Sequence, residues 1–260
     1  MPPAAAPPRA PAEAARGAGL LLVIPVDAAQ AEAALFGPEG AIAALPADAV
    51  VMLSSTVPVA YAEGLGRRLA EGGRLLLDAP VSGGQARAAD GSLTIMASGA
   101  PEAFARAEPL LAAVAAKVYR LGDRPGIGSL VKTVNQLLAG VHIAVAAEAM
   151  AFGTRAGADP ATLYEVISNS AGNSWMFSNR VPHMLAGDYR PLSAVDIFVK
   201  DLGLVLETGR ALRFPLPLAA AAHQLFLAAA AAGHGREDDA AVVKVFEQLA
   251  GITVGPRPEA

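Results

Sequence analysis

The chain has 260 residues, 20 Lys+Arg against 24 Asp+Glu, a formal charge of −4 and no cysteine. That length allows roughly two domains, each with enough chain to bury its own core. The missing cysteines exclude a disulfide framework, a thiolate metal site and a cysteine nucleophile, and the mild acidity argues against nucleic acid, whose phosphates need a basic face.

Residues 1–18 are rich in Pro, Ala and Arg without usable periodicity, the pattern of a disordered tail. Residues 20–26 (LLLVIPV) form a short continuous apolar run, expected of a strand buried on both faces, short for a signal-peptide core and without a clean cleavage site. Residues 28–45 read as helix with a break near Gly37-Pro38. A strand over 49–53 ends in Ser54-Ser55-Thr56. A helix over 58–71 follows, with Pro near its first turn where a missing N–H is harmless. A third strand over 74–77 ends at Asp78-Ala79-Pro80. Strand 92–97, helix 101–114 and strand 117–121 complete the alternation, which implies βαβ units and a mostly parallel sheet.

At Asp123-Arg124-Pro125-Gly126 the pattern changes. Everything beyond Gly128 has helical period, with breaks at 157–160, 171–173, 187–188 and 214–215; Asp159 before Pro160 is an N-cap with Pro at the first helical position. The expected division is a tail over 1–18, an α/β domain over 19–124 and an all-α domain over 125–255. Mean hydropathy is +0.41, which raises a membrane reading. A spanning helix needs about 18–20 apolar residues, whereas run 137–152 is interrupted by His142 and Glu148, and run 216–232 by His223 and Gln224. Alanine, about a quarter of the chain, raises hydropathy through small side chains that pack helices closely. A soluble, cytoplasmic protein with no membrane partner is expected.

Four segments carry chemistry. Ser82-Gly83-Gly84 follows a strand end, where ligands of open α/β sheets sit; the hydroxyl and unobstructed glycine N–H groups suit a carboxylate, and equally a plain turn. Lys132, Asn135 and Gln136 stand at i, i+3 and i+4 and share one helical face. Apolar Leu130, Val131, Val134, Leu137 and Leu138 surround them, so a lysine held there loses hydration and drops toward working acid/base range, unless its ammonium snorkels to solvent. Lys200-Asp201 near a helix start reads by itself as a charge pair. Ser54-Ser55-Thr56-Val57-Pro58 offers hydroxyls and N–H groups to a cofactor, or simply caps a helix. The four histidines lack ligand spacing and the carboxylates are scattered, so no metal site is expected. His142 projects near the Asn135 face and either borders a site there or is a satisfied core or surface histidine, the commoner case. Trp175 and Phe177 either cover a substrate or, as aromatic residues between helices more often do, pack in the core.

Together and in this order the segments resemble the β-hydroxyacid dehydrogenase family over nearly all of residues 20–250. The stretches Asn173-Ser174-Trp175-Met176-Phe177, Ser193-Ala194-Val195-Asp196 through Leu202, Arg213-Phe214-Pro215-Leu216-Pro217 and Gly235-Arg236-Glu237-Asp238-Asp239 are especially similar to its L-threonate branch. The resemblance implies a Rossmann-like domain followed by a helical domain, and hydride exchange between a small hydroxy acid and NAD or NADP. It places the catalytic lysine on Lys132, the substrate-holding amide on Asn135, and the carboxylate-binding segment on Ser82, Gly83 and Gly84. Gln136, where many members have a second asparagine, is implied to bind substrate as well. Thr56 and Lys200 match cofactor-contacting residues. Imine reductases of the superfamily usually replace the lysine, so Lys132 favours alcohol chemistry. A homodimer or homotetramer is implied, with the alanine-rich run 219–232 packing helices within or between subunits.

One departure is large. Members of the family open with a strand, G-x-G-x-x-G and a helix, whose glycines and helix N-terminus receive the pyrophosphate, and this sequence holds no G-x-G-x-x-G. The expectation is therefore a truncated Rossmann-like sheet whose strand over 20–26 lies on an unprotected edge, with weak NAD(H) binding or self-association. Two readings stay open at this point: a hydroxyacid dehydrogenase with Lys132 as acid/base, and a non-catalytic remnant or assembly module.

Overall fold

A computed structural model describes residues 10–256, and packing divides the chain into Met1–Lys132 and Thr133–Ala260. In the first unit, β1 (Leu20–Val23), β2 (Val50–Leu53) and β3 (Leu75–Asp78) pair in parallel in that order. All four residues of β2 are buried and alternate between two cores. Val51 and Leu53 face Leu35, Leu65 and Leu69 of α2 (Ala28–Phe36) and α3 (Val59–Glu71), while Val50 and Met52 share a core with Phe104 and Leu111 of α5 (Pro101–Val114). A strand covered on both faces needs apolar residues at every position, which is why the run is continuous rather than alternating.

Beyond β3 the sheet reverses. It runs β1-β2-β3-β5-β4 with β6 also on β5, where β4 is Val81–Ser82, β5 is Leu93–Ser98 and β6 is Ala115–Gly122. Strand β5 is antiparallel to β3 and β4 and parallel to β6. The sheet is thus mostly parallel, as expected, with the antiparallel pairs confined to β5 against β3 and β4. Between β3 and β5 the chain spends its length on β4 and the six-residue α4 (Gly84–Ala89) instead of a crossover helix, so β5 enters reversed.

The expected tail is corrected in part. Residues 1–9 lie outside the described residues, but Pro11–Ala15 forms helix α1 with Pro in its first turn. Ala15 is fully buried beside the core of Leu35 and Val51, and Ala12 N–H donates to the Glu39 carbonyl at 3.0 Å. Five residues are too few to display a helical period, and alanine needs none to be buried. Among the described residues β1 pairs with β2 alone, and Leu22 and Ile24 are 45% and 56% exposed, so an apolar strand stands at the edge.

The second unit is helical. Helix α6 (Ile127–Arg155) runs on into it from the first. It is followed by α7 (Pro160–Ser168), α8 (Trp175–Ala186), α9 (Val195–Leu212), α10 (Pro217–Ala229) and α11 (Val243–Ala250). The composition change near residue 124 marks where α6 starts, whereas packing divides eight residues later, inside that helix. Asp159 caps α7 by accepting from Thr162 N–H, with Pro160 at the first position. His142 and Glu148 interrupt the apolar run of α6 but not the helix, whose 29 residues are long and apolar enough to cross a membrane. Its inner face instead supplies Ile143, Ala147 and Met150 to a core with Phe177, Met184, Leu202 and the stacked Phe198 and Phe226, 5.2 Å apart. Gly140 permits that packing, because a Cβ there would meet both Leu202 methyls at 2.9 Å.

A buried charge cluster joins α8 to the turn before α11. Arg180 donates from Nε and Nη2 to Asp239 at 2.5 and 3.0 Å, and Asp239 has no exposed surface. Asp238, equally buried, contacts His183 Nδ1 and accepts the Leu192 and Ala240 N–H groups at 3.1–3.2 Å.

Candidate active site

The carboxyl end of β2 carries Ser54, Ser55 and Thr56. Both serine hydroxyls are buried, and neither has a hydrogen-bond partner among the described residues. An orphaned buried hydroxyl costs about 1–3 kcal/mol, and a strand's carboxyl end is where ligands of open α/β sheets reside. These residues therefore suit the hydroxyls of a polar ligand such as a nucleotide's ribose, and the resemblance to the dehydrogenases implies the nicotinamide end. For a pyrophosphate, no G-x-G-x-x-G run exists in the sequence.

Strand β3 ends at Asp78, and β4 leads directly into the glycine pair. Gly83 has φ +134° and Gly84 φ +66°, both in the region that side chains disfavour. A Cβ on Gly83 would also stand 2.7 Å from Arg87 Cβ and Cδ. The turn that presents Ser82 and the following backbone N–H groups thus depends on glycine. We expect Gly83→Ala to raise the KM of the acidic substrate at least 10-fold, with a stability cost of about 1–3 kcal/mol. Steady-state kinetics and a denaturant melt would check it, and an unchanged KM would remove this turn from the site.

Lys132 opens the α6 stripe and is 8% exposed; Gln136 is also buried and Asn135 half-buried. Asn135 Nδ2 donates to Gln136 Oε1 at 2.9 Å, and Gln136 Nε2 donates to Asp201 Oδ2. Lys200 Nζ donates to the other oxygen, Asp201 Oδ1, at 2.6 Å. With a carboxylate on one side and an amide N–H on the other, Gln136 can hold only one of its two orientations. The sequence signals a pair, Lys200-Asp201; the structure extends it to a chain of four residues, in which Lys200 is held on α9 against a carboxylate that is 2% exposed.

The expected site residues fall into three groups: Thr56 with Ser82, Gly83 and Gly84 at strand ends of the first unit, the Lys132-Asn135-Gln136 stripe of α6, and Lys200 with Asp201 on α9. Sequence reasoning missed Asp78. Its Oδ2 accepts N–H bonds from Gly126 and Ser129, each 2.9 Å, and its Oδ1 accepts the Ser129 hydroxyl at 2.7 Å. Burial holds its pKa above the ordinary carboxylate value, and the bonds from Ser129, Gly126 and Ser98 offset only part of that rise. The available signal was an acidic residue at the end of an otherwise apolar strand. Phe177 is core, stacked 6.0 Å from Tyr164, whereas Trp175 is 57% exposed and not the core residue expected. Among the described residues no group of three or more metal-ligating side chains converges.

Two family models match the chain. The one described as the NAD binding domain of 6-phosphogluconate dehydrogenase covers residues 4–122, and the one described as the NAD-binding domain of NADP-dependent 3-hydroxyisobutyrate dehydrogenase covers 126–246. Over 236 residues the chain is 64% identical to an L-threonate dehydrogenase of Cupriavidus necator, spanning 91% of this chain and 80% of that protein. A crystal structure of 3-hydroxyisobutyrate dehydrogenase from Salmonella typhimurium superposes with TM-score 0.87 at 51% identity, covering 91% of this chain and 82% of that one. A third protein, solved with NADP+, superposes with TM-score 0.80 at 27% identity, covering 88% and 80%.

Proposed function

Because the chain belongs to the β-hydroxyacid dehydrogenase family and is an NAD(P)-dependent hydroxyacid dehydrogenase, we propose that it oxidises a polyol-derived acid of the L-threonate type with Lys132 as general acid/base. The kinship disfavours the reading of a non-catalytic remnant. NAD or NADP would supply the hydride acceptor; Thr56, next to the Ser54 and Ser55 hydroxyls on its own strand end, would hold it, and so would Lys200 on α9. Ser82 and the N–H groups after it receive the substrate carboxylate. Asn135 orients the substrate hydroxyl, and Gln136 holds Asn135 through the chain to Asp201.

Lys132 accepts the hydroxyl proton as the carbonyl forms and returns it in the reverse direction. The observation that carries this reading is a lysine almost closed off from solvent on the same helical stripe as two amides. The reaction belongs to the cytoplasm, where its cofactor is supplied. The exposed stripe Ile127, Val131, Val134, Leu138 and Val145 on α6 supports assembly into a dimer or tetramer.

The test is oxidation of L-threonate against 3-hydroxyisobutyrate with NAD+ and with NADP+, followed at 340 nm, with calorimetric titration of each cofactor. A kcat/KM at least 10-fold higher for L-threonate is expected. No turnover of L-threonate with either cofactor would overturn the substrate assignment.

A further inference from the structure

Helix α6 carries Lys132 one turn beyond its N-terminus, where the first N–H groups of a helix have no partner within it. These groups are usually satisfied by a neighbouring residue in the chain. In α6 they are met from the sheet. Asp78 Oδ2 takes the Gly126 and Ser129 N–H groups, while Ser98 Oγ takes the Gly128 N–H at 2.9 Å and donates its own proton to Asp78 Oδ2 at 3.3 Å. The Ser129 hydroxyl adds a bond to Asp78 Oδ1.

Asp78 and Ser98 are themselves cross-strand partners, the register pair that joins β3 to β5. Backbone contact closes the joint: a Cβ on Gly128 would lie 2.5 Å from the Met96 carbonyl oxygen and 2.7 Å from that of Asp78. No side chain can separate helix from sheet there.

A simple cap would need one acceptor and one or two N–H groups, and serine or asparagine would serve. Here one carboxylate takes four donors, fixing both the axial position and the rotation of the helix start. Four residues after Asp78 comes Ser82; three residues after Ser129 comes Lys132. We infer that Asp78, with Ser98, is a positioning residue that sets the catalytic lysine against the carboxylate-binding turn. The inference rests on the reading of Lys132 as acid/base. A reacting group displaced by about 1 Å can lose 10²-fold in rate, so a joint this tight has a kinetic purpose beyond stability.

The experiment compares Asp78→Asn, Ser129→Ala and Lys132→Ala in the full chain. It measures kcat per folded molecule, hydroxy-acid KM, cofactor affinity and thermal midpoint. Asp78→Asn keeps the shape but places an N–H2 group among donors; kcat is expected to fall about 10–100-fold, with substrate KM and cofactor affinity within about three-fold. Ser129→Ala removes one bond and is expected to cost about 3–10-fold in kcat, at most about 1.4 kcal/mol by the tenfold rule. It keeps the inference testable if Asp78→Asn fails to fold. A purely structural role would lower the thermal midpoint and leave kcat per folded molecule unchanged, which would overturn the inference. Wild-type kcat in both variants alongside an inactive Lys132→Ala sinks this inference alone, whereas an active Lys132→Ala sinks the reading beneath it.

Discussion

Replacing Lys132 by alanine is expected to lower hydroxy-acid turnover by about 10²–10⁴-fold, the range for removal of a positioned acid/base, while NAD(P)+ affinity stays within about two-fold. Alcohol oxidation cannot finish until the hydroxyl proton leaves, and water is a poor substitute for an amine positioned at that oxygen. Lys132 is 8% exposed, and its stripe continues into Asn135 and Gln136, so the amides proposed to orient the substrate are left in place by its removal. Lys132→Arg is expected to be almost as slow, since a guanidinium keeps its proton throughout the working pH range. Steady-state kinetics and a calorimetric cofactor titration decide it. Substantial turnover by Lys132→Ala would show that the proton leaves by another route.

The second large effect is on stability. Arg180→Ala is expected to destabilise the helical unit by about 3–5 kcal/mol, the cost of stranding a buried charge. Asp239 has no exposed surface; burial pushes its pKa up to about 6, and the Arg180 guanidinium is the main influence holding it down. Without Arg180 the folded-state pKa climbs further above its unfolded value. A raised carboxyl pKa means the folded state binds the extra proton, so stability falls as pH rises from the unfolded value through the folded one. The variant should therefore lose more at pH 8, where Asp239 must ionise alone, than at pH 5, where it keeps its proton. Denaturant melts at the two pH values test this, and an equal loss at both would show that Asp239 is not the stranded charge.

Much of the secondary structure was legible because its signals are local. Helix α5 begins and ends at Pro101 and Val114, as its period and its opening proline indicate, and α2 stops at Phe36 before Gly37-Pro38. Strand β2 announced its burial through an unbroken apolar run. The two-residue β4, the six-residue α4 and the five-residue α1 were not legible, since none completes two periods of any pattern. The antiparallel entry of β5 was hidden for a related reason: strand direction depends on the path of the connection, not on the composition of the strand.

The candidate site divides along the same line. The Lys132-Asn135-Gln136 stripe follows from helical spacing, and the glycine pair after Ser82 from the need for positive φ, so both could be read residue by residue. Motif order along the chain pointed to the family and the chemistry, because each motif lies within a few consecutive residues. Only the tertiary structure decided what those residues lean on. Gln136 meets Asp201 65 positions away, and Asp78 meets Ser98, Gly126 and Ser129 at separations of 20, 48 and 51. Bonds between positions so far apart leave no period and no spacing in the chain; they exist because β3, β5 and the first turn of α6 converge where burial makes every unpaired donor costly.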